Sequence, residues 1–434
     1  MSRVASSFWV AVEVVTALAV VPCRSQGTLT LEQCLARASE NNPQLRIAEN
    51  AVRSAELSLS ELKTTSLPQL RGAVTATYVP VPPTFGYDPA VTDGGQISGQ
   101  VVLRQSLYDG GVRGLKGDQL QSDVNRLGQE HRLARLDLIL LVKQTFIEGL
   151  RAQDEVELQQ LGVEQLESYH ELVLRLFKGG TASSTDLLKT EMQTSTSRLA
   201  LEKAREAMAA AKLALAELMG VPPDTSLRLA GSLAAAGVQD SLVKAGEADV
   251  ASTLEMNIAG LLVQKSLFDY ELADRERLPE ISLLADAGYL SSGDNLRLPK
   301  NERLNGLGYS VGIGIDFPIL NWGATNLRMQ QRQLATDDLR QRTEILRRSL
   351  NTELRRSRML LQNALARLKT LHENVTKAEE NFLLTKSKYA VGGTLALEVL
   401  TAHQLLADSR LAELQTLADI QVLTARIERE TAHE

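Results

Sequence analysis

Leu107-Tyr108-Asp109-Gly110-Gly111-Val112 opens a run of roughly seventy residues without proline, which ends at Lys178-Gly179-Gly180-Thr181 and returns through Asp186-Leu187-Leu188. The chain contains this passage twice. Its second form begins Leu320-Asn321-Trp322-Gly323-Ala324-Thr325, continues proline-free, reaches Val391-Gly392-Gly393-Thr394 and returns through Glu398-Val399-Leu400. Between the glycines, apolar residues recur at or near spacings of three and four. They are Leu120, Val124, Leu127, Leu138 and Leu141 in the first copy, and Leu361, Leu365, Leu368, Leu371, Val375, Ala378 and Phe382 in the second. That period predicts a long amphipathic helix in each copy. At about 1.5 Å per residue such a helix spans roughly 100 Å, several times the width of a compact domain, so it needs partners along its flank.

Working outward from each long helix, the period changes to two. Leu70, Gly72, Val74, Ala76 and Tyr78 alternate with Gln69, Arg71, Ala73, Thr75 and Thr77, and Ile97, Gly99, Val101, Leu103 and Leu107 alternate with Gln96, Ser98, Gln100, Arg104 and Ser106. A segment holding Pro80, Pro82, Pro83 and Pro89 lies between them, so the two strands form a hairpin. The hairpin recurs. Leu278-Pro279 repeats Leu67-Pro68, then Ile281, Leu283, Ala285, Ala287 and Tyr289 share one face, as do Tyr309, Val311, Ile313, Ile315 and Phe317. Opposite them stand Glu280, Ser282, Asp286 and Gly288, and Gly308, Ser310, Gly312, Gly314 and Asp316.

Four strands of about ten residues, each with one apolar face, suit two settings: the core of a soluble sandwich or the wall of a membrane barrel. The barrel is favoured, because no other apolar segment could cover them as a second layer. It also accounts for the aromatics, with Tyr78, Tyr289 and Tyr309 at the loop ends of the strands and Tyr108, Phe317 and Trp322 at the helix ends, as two interfacial girdles. By parity Arg71, Arg104, Asp286 and Asp316 then face the lumen, solvated or paired there. Four strands cannot close a barrel, and an open edge in lipid leaves backbone groups unsatisfied, so several chains must share one.

Composition agrees with helix packed on helix. The 434 residues carry 4% aromatics, 12 prolines and a net charge of −6, which advertises no nucleic-acid surface. Five scattered histidines, including His131, His170, His372 and His403 at helical positions, and two cysteines leave little material for a metal centre. No nucleophile, base and orienting group cluster, so neither an enzyme activity nor a cofactor is expected.

Arg3, the apolar run from Phe8 to Val21 with Glu13 inside it, and Pro22-Cys23-Arg24-Ser25 read as a signal peptide over 1–25. Ala17-Leu18-Ala19 and Cys23-Arg24-Ser25 are the candidate cleavage sites; an uncleaved anchor, a lipid on Cys23 and a disulfide from Cys23 to Cys34 are the other readings. Thr30 is placed as the N-cap of a helix from Leu31 that Asn41-Asn42-Pro43 breaks, and a second helix runs from about Gln44 to Thr65. The organisation expected is two repeats, 26–220 and 221–434. The first has strands at about 69–79 and 95–107, a long helix at 109–178 and a returning helix at 184–220. The second has a helix from about Val238 to Arg277, strands at about 280–290 and 307–317, a long helix at 322–390 and a returning helix at 394–430.

The chain from about Leu29 to Ile427 resembles the outer-membrane efflux proteins, the TolC-like exit ducts of tripartite pumps and type I secretion systems. The resemblance rests on Leu29-Thr30-Leu31-Glu32 with Asn42-Pro43, Leu67-Pro68 and Leu278-Pro279 before strands, and Gln105-Ser106-Leu107-Tyr108-Asp109 leading into the long helix. Gly180 with Asp186-Leu187-Leu188, matched by Gly392 with Glu398-Val399-Leu400, completes it. It implies a mainly α protein with a membrane β-barrel: a homotrimer sharing a twelve-stranded barrel, extended by a helical tunnel into the periplasm. It implies, too, a periplasmic adaptor and an inner-membrane transporter as partners and outer-membrane lipid around the strands. An extended segment after the last helix, present in the family, is missing here.

In that frame Gly179, Gly180, Thr181, Gly392, Gly393 and Thr394 sit at the inner tip, where an adaptor docks. Lys178-Gly179-Gly180-Thr181 faintly echoes a phosphate loop but lacks the strand-to-helix setting. Asp186 and Glu398 are candidates for tip selectivity; the alternative is charge complementing a helix N-terminus. The resemblance places an acidic ring at Glu398, whereas Thr401 stands where some members carry a second acid. The function expected is passive conduction of small toxic compounds. Protein export by a type I system is the alternative, and a periplasmic structural coiled coil the reading from a different class.

Overall fold

The computed structural model describes residues 28–79, 94–223, 228–233, 250–292 and 306–432. The signal peptide with Cys23, the proline loop from Pro80 to Pro89 and the 238–249 stretch expected to be helical lie outside these residues, as does the side chain of Tyr78.

Two short helices lead the chain: α1 (Leu31–Asn41) and α2 (Pro43–Thr64). Thr30 caps α1 reciprocally with Gln33, each side chain taking the other's backbone N–H, and Asn42 caps α2 with Pro43 in the first turn, where a missing N–H costs nothing. The Asn42 amide also donates to the Leu218 carbonyl at 3.2 Å and so pins this joint to the far end of a later helix. Strands β1 (Gln69–Val79) and β2 (Gly94–Tyr108) follow, then the long helix α3 (Val112–Lys178) and its return α4 (Ser184–Leu218). The second copy comprises α5 (Leu254–Arg275), β3 (Glu280–Ser292), β4 (Gly306–Asp316), α6 (Ala324–Ala390) and α7 (Ala396–Glu430).

The repeat is close in dimension. Both long helices have 67 residues and both returning helices 35, and they stay in one register from Val112 against Ala324 to Leu218 against Glu430. The helix before each hairpin, α2 against α5, has 22 residues in both copies but stands one position out of that register. Each long helix starts later than the sequence period suggests, at Val112 and not 109, and at Ala324 and not 322. Asp109 and Asn321 first form side-chain turns onto the N–H groups of Gly111 (3.1 Å) and Gly323 (3.2 Å), both left-handed. Helix α5 opens at Leu254, not near Val238. Thr253 is extended and its hydroxyl returns to the Val250 carbonyl at 3.0 Å, separating a 3-10 turn from the helix.

The four strands make one antiparallel sheet in the order β1-β2-β3-β4. Register carries the alternating pattern across all of them: Leu70 faces Leu103, which faces Ala285, which faces Val311, and the next row reads Gly72, Val101, Ala287, Tyr309. One assignment is corrected. A bulge between Ser106 and Tyr108 resets the phase, so Tyr108, opposite Ile281, takes the position on the apolar face that simple alternation gives to Leu107. All four strand ends that join helices lie at the same end of the sheet, so the helices extend from one side only.

The helices form a single layer. In its distal half α4 packs on α3, α3 on α7 and α7 on α6; in its proximal half α2, α3, α5 and α6 lie side by side. On α6 the residues Leu354, Leu361, Phe382 and Tyr389 and, three places on from the same heptads, Ser357, Ala364 and Ala378 are all buried. This seven-residue repeat is the seam of a left-handed coiled coil. Leu361 and Tyr169 are almost wholly buried, and side chains of this kind each contribute about 1.5–3 kcal/mol by leaving water. Three buried clusters string along the layer: one where α1 and the Leu29–Leu229 bridge meet mid-α3, one between α6 and α7, and one at the distal end. Among the described residues no helix is long and apolar enough to cross a membrane.

Candidate functional site

The sheet presents two unlike faces. On the apolar face Val74, Leu307, Tyr309, Val311, Ile313 and Ile315 are all exposed, Tyr309 to 83%, and none of the described residues covers them. Tyr108, Tyr289 and Trp322 are exposed as well, Trp322 to 87%. The opposite face holds the predicted charges. Arg104 pairs with Glu280 at 3.5 Å, Glu280 stands in register with Asp316, and Asp286 accepts a hydrogen bond from the Ser310 hydroxyl. Arg71 sits opposite Val102, which sits opposite Asp286. Val102 and Leu284 are apolar residues within this otherwise polar or small face.

The distal turns are built alike. At the end of α3 Gly180 has φ 80°, its N–H donates to the Phe177 carbonyl and the Thr181 N–H donates back to Leu176 at 2.9 Å. At the end of α6 Gly392 has φ 77°, with the Gly393 N–H donating to Lys388 at 2.9 Å. Both are Schellman caps, whose left-handed residue is held at little cost only by glycine. The turns therefore superimpose Gly180 on Gly392 and Thr181 on Gly393. Matching Gly-Gly-Thr to Gly-Gly-Thr letter by letter is one residue out of step, because Gly179 is still right-handed and corresponds to Val391.

Asp186 and Glu398 both follow these turns at the third helical position, yet they do different work. Asp186 forms a capping box with Ser183, accepting its N–H at 3.4 Å while the Ser183 hydroxyl accepts the Asp186 N–H at 3.0 Å. Leu395 replaces that serine in the second copy and provides no cap, so Glu398 takes a hydrogen bond from the Thr394 hydroxyl and remains exposed. Sequence reading missed what joins the two copies here. Tyr169 of α3 meets Tyr389 of α6 edge to face with ring centres 5.4 Å apart, and its hydroxyl donates to the Ala396 carbonyl at 3.4 Å. Burial, and the Asp186 carboxylate near both rings, hold the two phenols above their ordinary pKa and therefore neutral. The clue available was their place in the heptads.

The buried Cys34 thiol is pushed up to about 11 by desolvation, which makes it an inert core group. Among the described residues no group of three His, Cys, Asp or Glu side chains is placed to hold a metal ion.

The family described as "Outer membrane efflux protein" matches residues 34–221 and 251–429. The chain is 25% identical over 323 residues to the proteases secretion protein PrtF of Dickeya chrysanthemi, covering 70% of this chain and 66%, just under two thirds, of that one. To the outer membrane efflux protein BepC of Brucella suis it is 22% identical over 400 residues, covering 91% and 83%. Its fold is that of the outer membrane protein VceC of Vibrio cholerae, with a TM-score of 0.75 at 17% identity over 93% of this chain and 96% of the other.

Proposed function

The chain belongs to the outer membrane efflux protein family, and from that premise we propose that three copies form one exit duct through the outer membrane of a Gram-negative cell. The observation that carries this reading is the sheet. Its apolar face is exposed along the edge strands β1 and β4 and exposed or half-exposed along β2 and β3, its charges lie behind, and β1 and β4 are open edges. Lipid satisfies the bare face but not the edges, and only closure does that. Joining β4 of one copy to β1 of the next three times gives a closed barrel of twelve strands.

The helix layer supports the same closure. Its outer members are α2 and α4 on one side and α6 on the other, and these carry exposed apolar residues: Ile47, Leu57, Leu188, Met192 and Leu199 against Leu327, Leu334, Ile345 and Met359. On α6 that exposed stripe lies on the side away from the buried heptad seam, where a neighbouring copy would sit. The lumen then receives Arg71, Arg104, Asp286 and Asp316, and the distal turns face the periplasm. Gly179, Gly180, Thr181, Gly392, Gly393 and Thr394 are the docking tip for an adaptor that links the duct to an inner-membrane transporter.

The cargo proposed is small toxic compounds, with no chemistry performed on them. Secretion of a protein is the second reading, favoured by the likeness to PrtF and to the alkaline protease secretion protein AprF of Pseudomonas aeruginosa. Native mass spectrometry in detergent should find three chains; a stable folded monomer in lipid bilayers would sink the shared barrel. Deleting the gene should raise sensitivity to dyes and detergents. Unchanged sensitivity, with an exported protein trapped in the cell, would move the assignment to secretion.

A further inference from the structure

His403 lies where four helices meet, and no role described so far uses it. It is 4% exposed on α7; its ring lies edge to face on Phe382 of α6 at 5.3 Å, and it rests on Gly162 of α3, where a Cβ would stand 3.8 Å from ring atoms Cε1 and Nε2. The ring is hydrogen-bonded to the Gly162 backbone, while Nδ1 is buried with no partner. A cavity of about 270 Å³ opens beside it, and Ser197 of α4 closes the far wall.

This junction joins two helical hairpins. Helices α3 and α4 are packed along their length, as are α6 and α7, but α4 and α7 scarcely touch. The pairs meet instead where α3 packs on α7, with Leu166, Tyr169 and Val173 in one buried cluster with Val399, Leu400, Ala402 and Leu406. Polar and ring contacts reinforce this seam near the distal end: Tyr169 with Tyr389 and Ala396, Lys386 Nζ donating to Ser168 Oγ at 3.3 Å, Gln193 with Gln404 at 3.4 Å, and His403 on Gly162.

We infer that His403 is an acid-sensitive latch between the two helical hairpins: neutral, it packs them together, and protonated, it favours their separation and so the opening of the distal end. The inference rests on the duct reading above. A proton on Nδ1 creates a second N–H donor aimed at no acceptor and a charge in a buried place, and each costs free energy that exposure to water removes. The surroundings do not compensate. Every α3 and α4 residue lining the cavity is uncharged, α6 offers Glu379, which is held by Arg410 at 2.6 Å, and α7 offers Arg410 itself and Asp408, which accepts from Gln404 at 2.9 Å. Burial first, and then Arg410, hold the ring's affinity for a proton below the ordinary histidine range, with the Gly162 hydrogen bond acting the other way. Above about pH 6.5 the ring is neutral in both arrangements and the packing is unaffected; as pH falls below that value the exposed ring takes the proton first and the equilibrium moves toward separation.

The test uses the full-length trimer in planar bilayers, with His403→Gln and His403→Phe beside the wild type. Phenylalanine keeps the ring contact with Phe382, should glutamine fail to pack. Between about pH 7.5 and pH 5.5 the wild-type open probability should rise by about threefold or more, and both variants should stay flat. Hydrogen exchange of the peptide spanning 396–406, corrected for intrinsic rates, should quicken in acid only in the wild type. Variants that keep the wild-type dependence on pH in either readout overturn the latch. A trimer that passes no current at any pH counts against the duct, and hydrogen exchange then decides the latch alone.

Discussion

Trp322 occupies in the second copy the place that Gly110 holds in the first: each is the middle residue of a side-chain turn, each precedes a left-handed glycine, and their φ angles are 51° and 67°. Trp322 is the only described non-glycine residue with positive φ. Glycine is required at the first site for a second reason, since a Cβ there would lie 2.8 Å from Leu278 Cβ. At the second site the indole projects outward and gains little from the fold, which fits the proposed place at the membrane interface.

This pairing gives a graded prediction. Gly111→Ala meets open space and should cost only the left-handed penalty, about 1–2 kcal/mol, while Gly110→Ala adds the clash with Leu278 and should cost more. Trp322→Gly should raise the melting temperature of detergent-solubilised protein, by up to about 1 kcal/mol in stability, and weaken its hold in liposomes. Equal melting for both alanine variants would contradict the geometry at Gly110.

Face assignment on the sheet predicts a second contrast. Val101→Arg and Ile313→Arg replace residues on the bare apolar face and should each cost about 2–4 kcal/mol near mid-bilayer. Ser98→Arg and Ser310→Arg lie on the other face, the latter beside Asp286, and should insert far better. Insertion yields into liposomes measure this directly, and equal yields for the two sets would mean that the faces are misassigned.

The two stripes of α6 should separate folding from assembly. Leu361 is 1% exposed in the seam with α7, so Leu361→Ala should lower the stability of the chain by about 2–5 kcal/mol. Leu334 and Ile345 are exposed in the single chain, so Leu334→Asp with Ile345→Asp should leave its helicity intact yet shift the protein from trimer to monomer. Circular dichroism and native mass spectrometry read the two effects; a trimer that survives both aspartates would put the subunit contact elsewhere.

Much of this architecture was legible in the sequence because its periods are long and uninterrupted. Heptads through Leu361, Leu368, Val375 and Phe382 admit few readings other than a coiled coil, and the alternation from Tyr309 to Phe317 few other than a strand with one apolar face. What escaped were features that depend on single residues or on distant pairing. The bulge at Leu107 changes face without changing composition. The pairing of β2 with β3 joins strands far apart in sequence, and hairpin signals describe only near neighbours. Gly-Gly-Thr occurs twice as letters, but φ and not spelling sets which glycine matches which. The tyrosine pair and His403 look in sequence like ordinary seam residues, and only the meeting of the two copies gives them neighbours.

The distal acids provide the last contrast, in which structure separates two residues that sequence treats alike. Asp186 is committed to its capping box and half-buried, so Asp186→Lys removes a cap worth about 0.5–2 kcal/mol, places a cation against a helix N-terminus and should loosen the turn. Glu398→Lys puts a cation at the same helical position, but Glu398 is exposed and belongs to no capping box, so the melting temperature should fall less than in Asp186→Lys. In a trimer three copies of Glu398 surround one axis and attract cations to the entrance, whereas three lysines repel them. Reversal potentials across a salt gradient should therefore show cation preference in the parent duct, its loss or inversion in Glu398→Lys, and a smaller change in Asp186→Lys. Selectivity that is untouched in Glu398→Lys would move the filter to the carboxylates of the sheet, with Asp286→Asn and Asp316→Asn the variants to measure next.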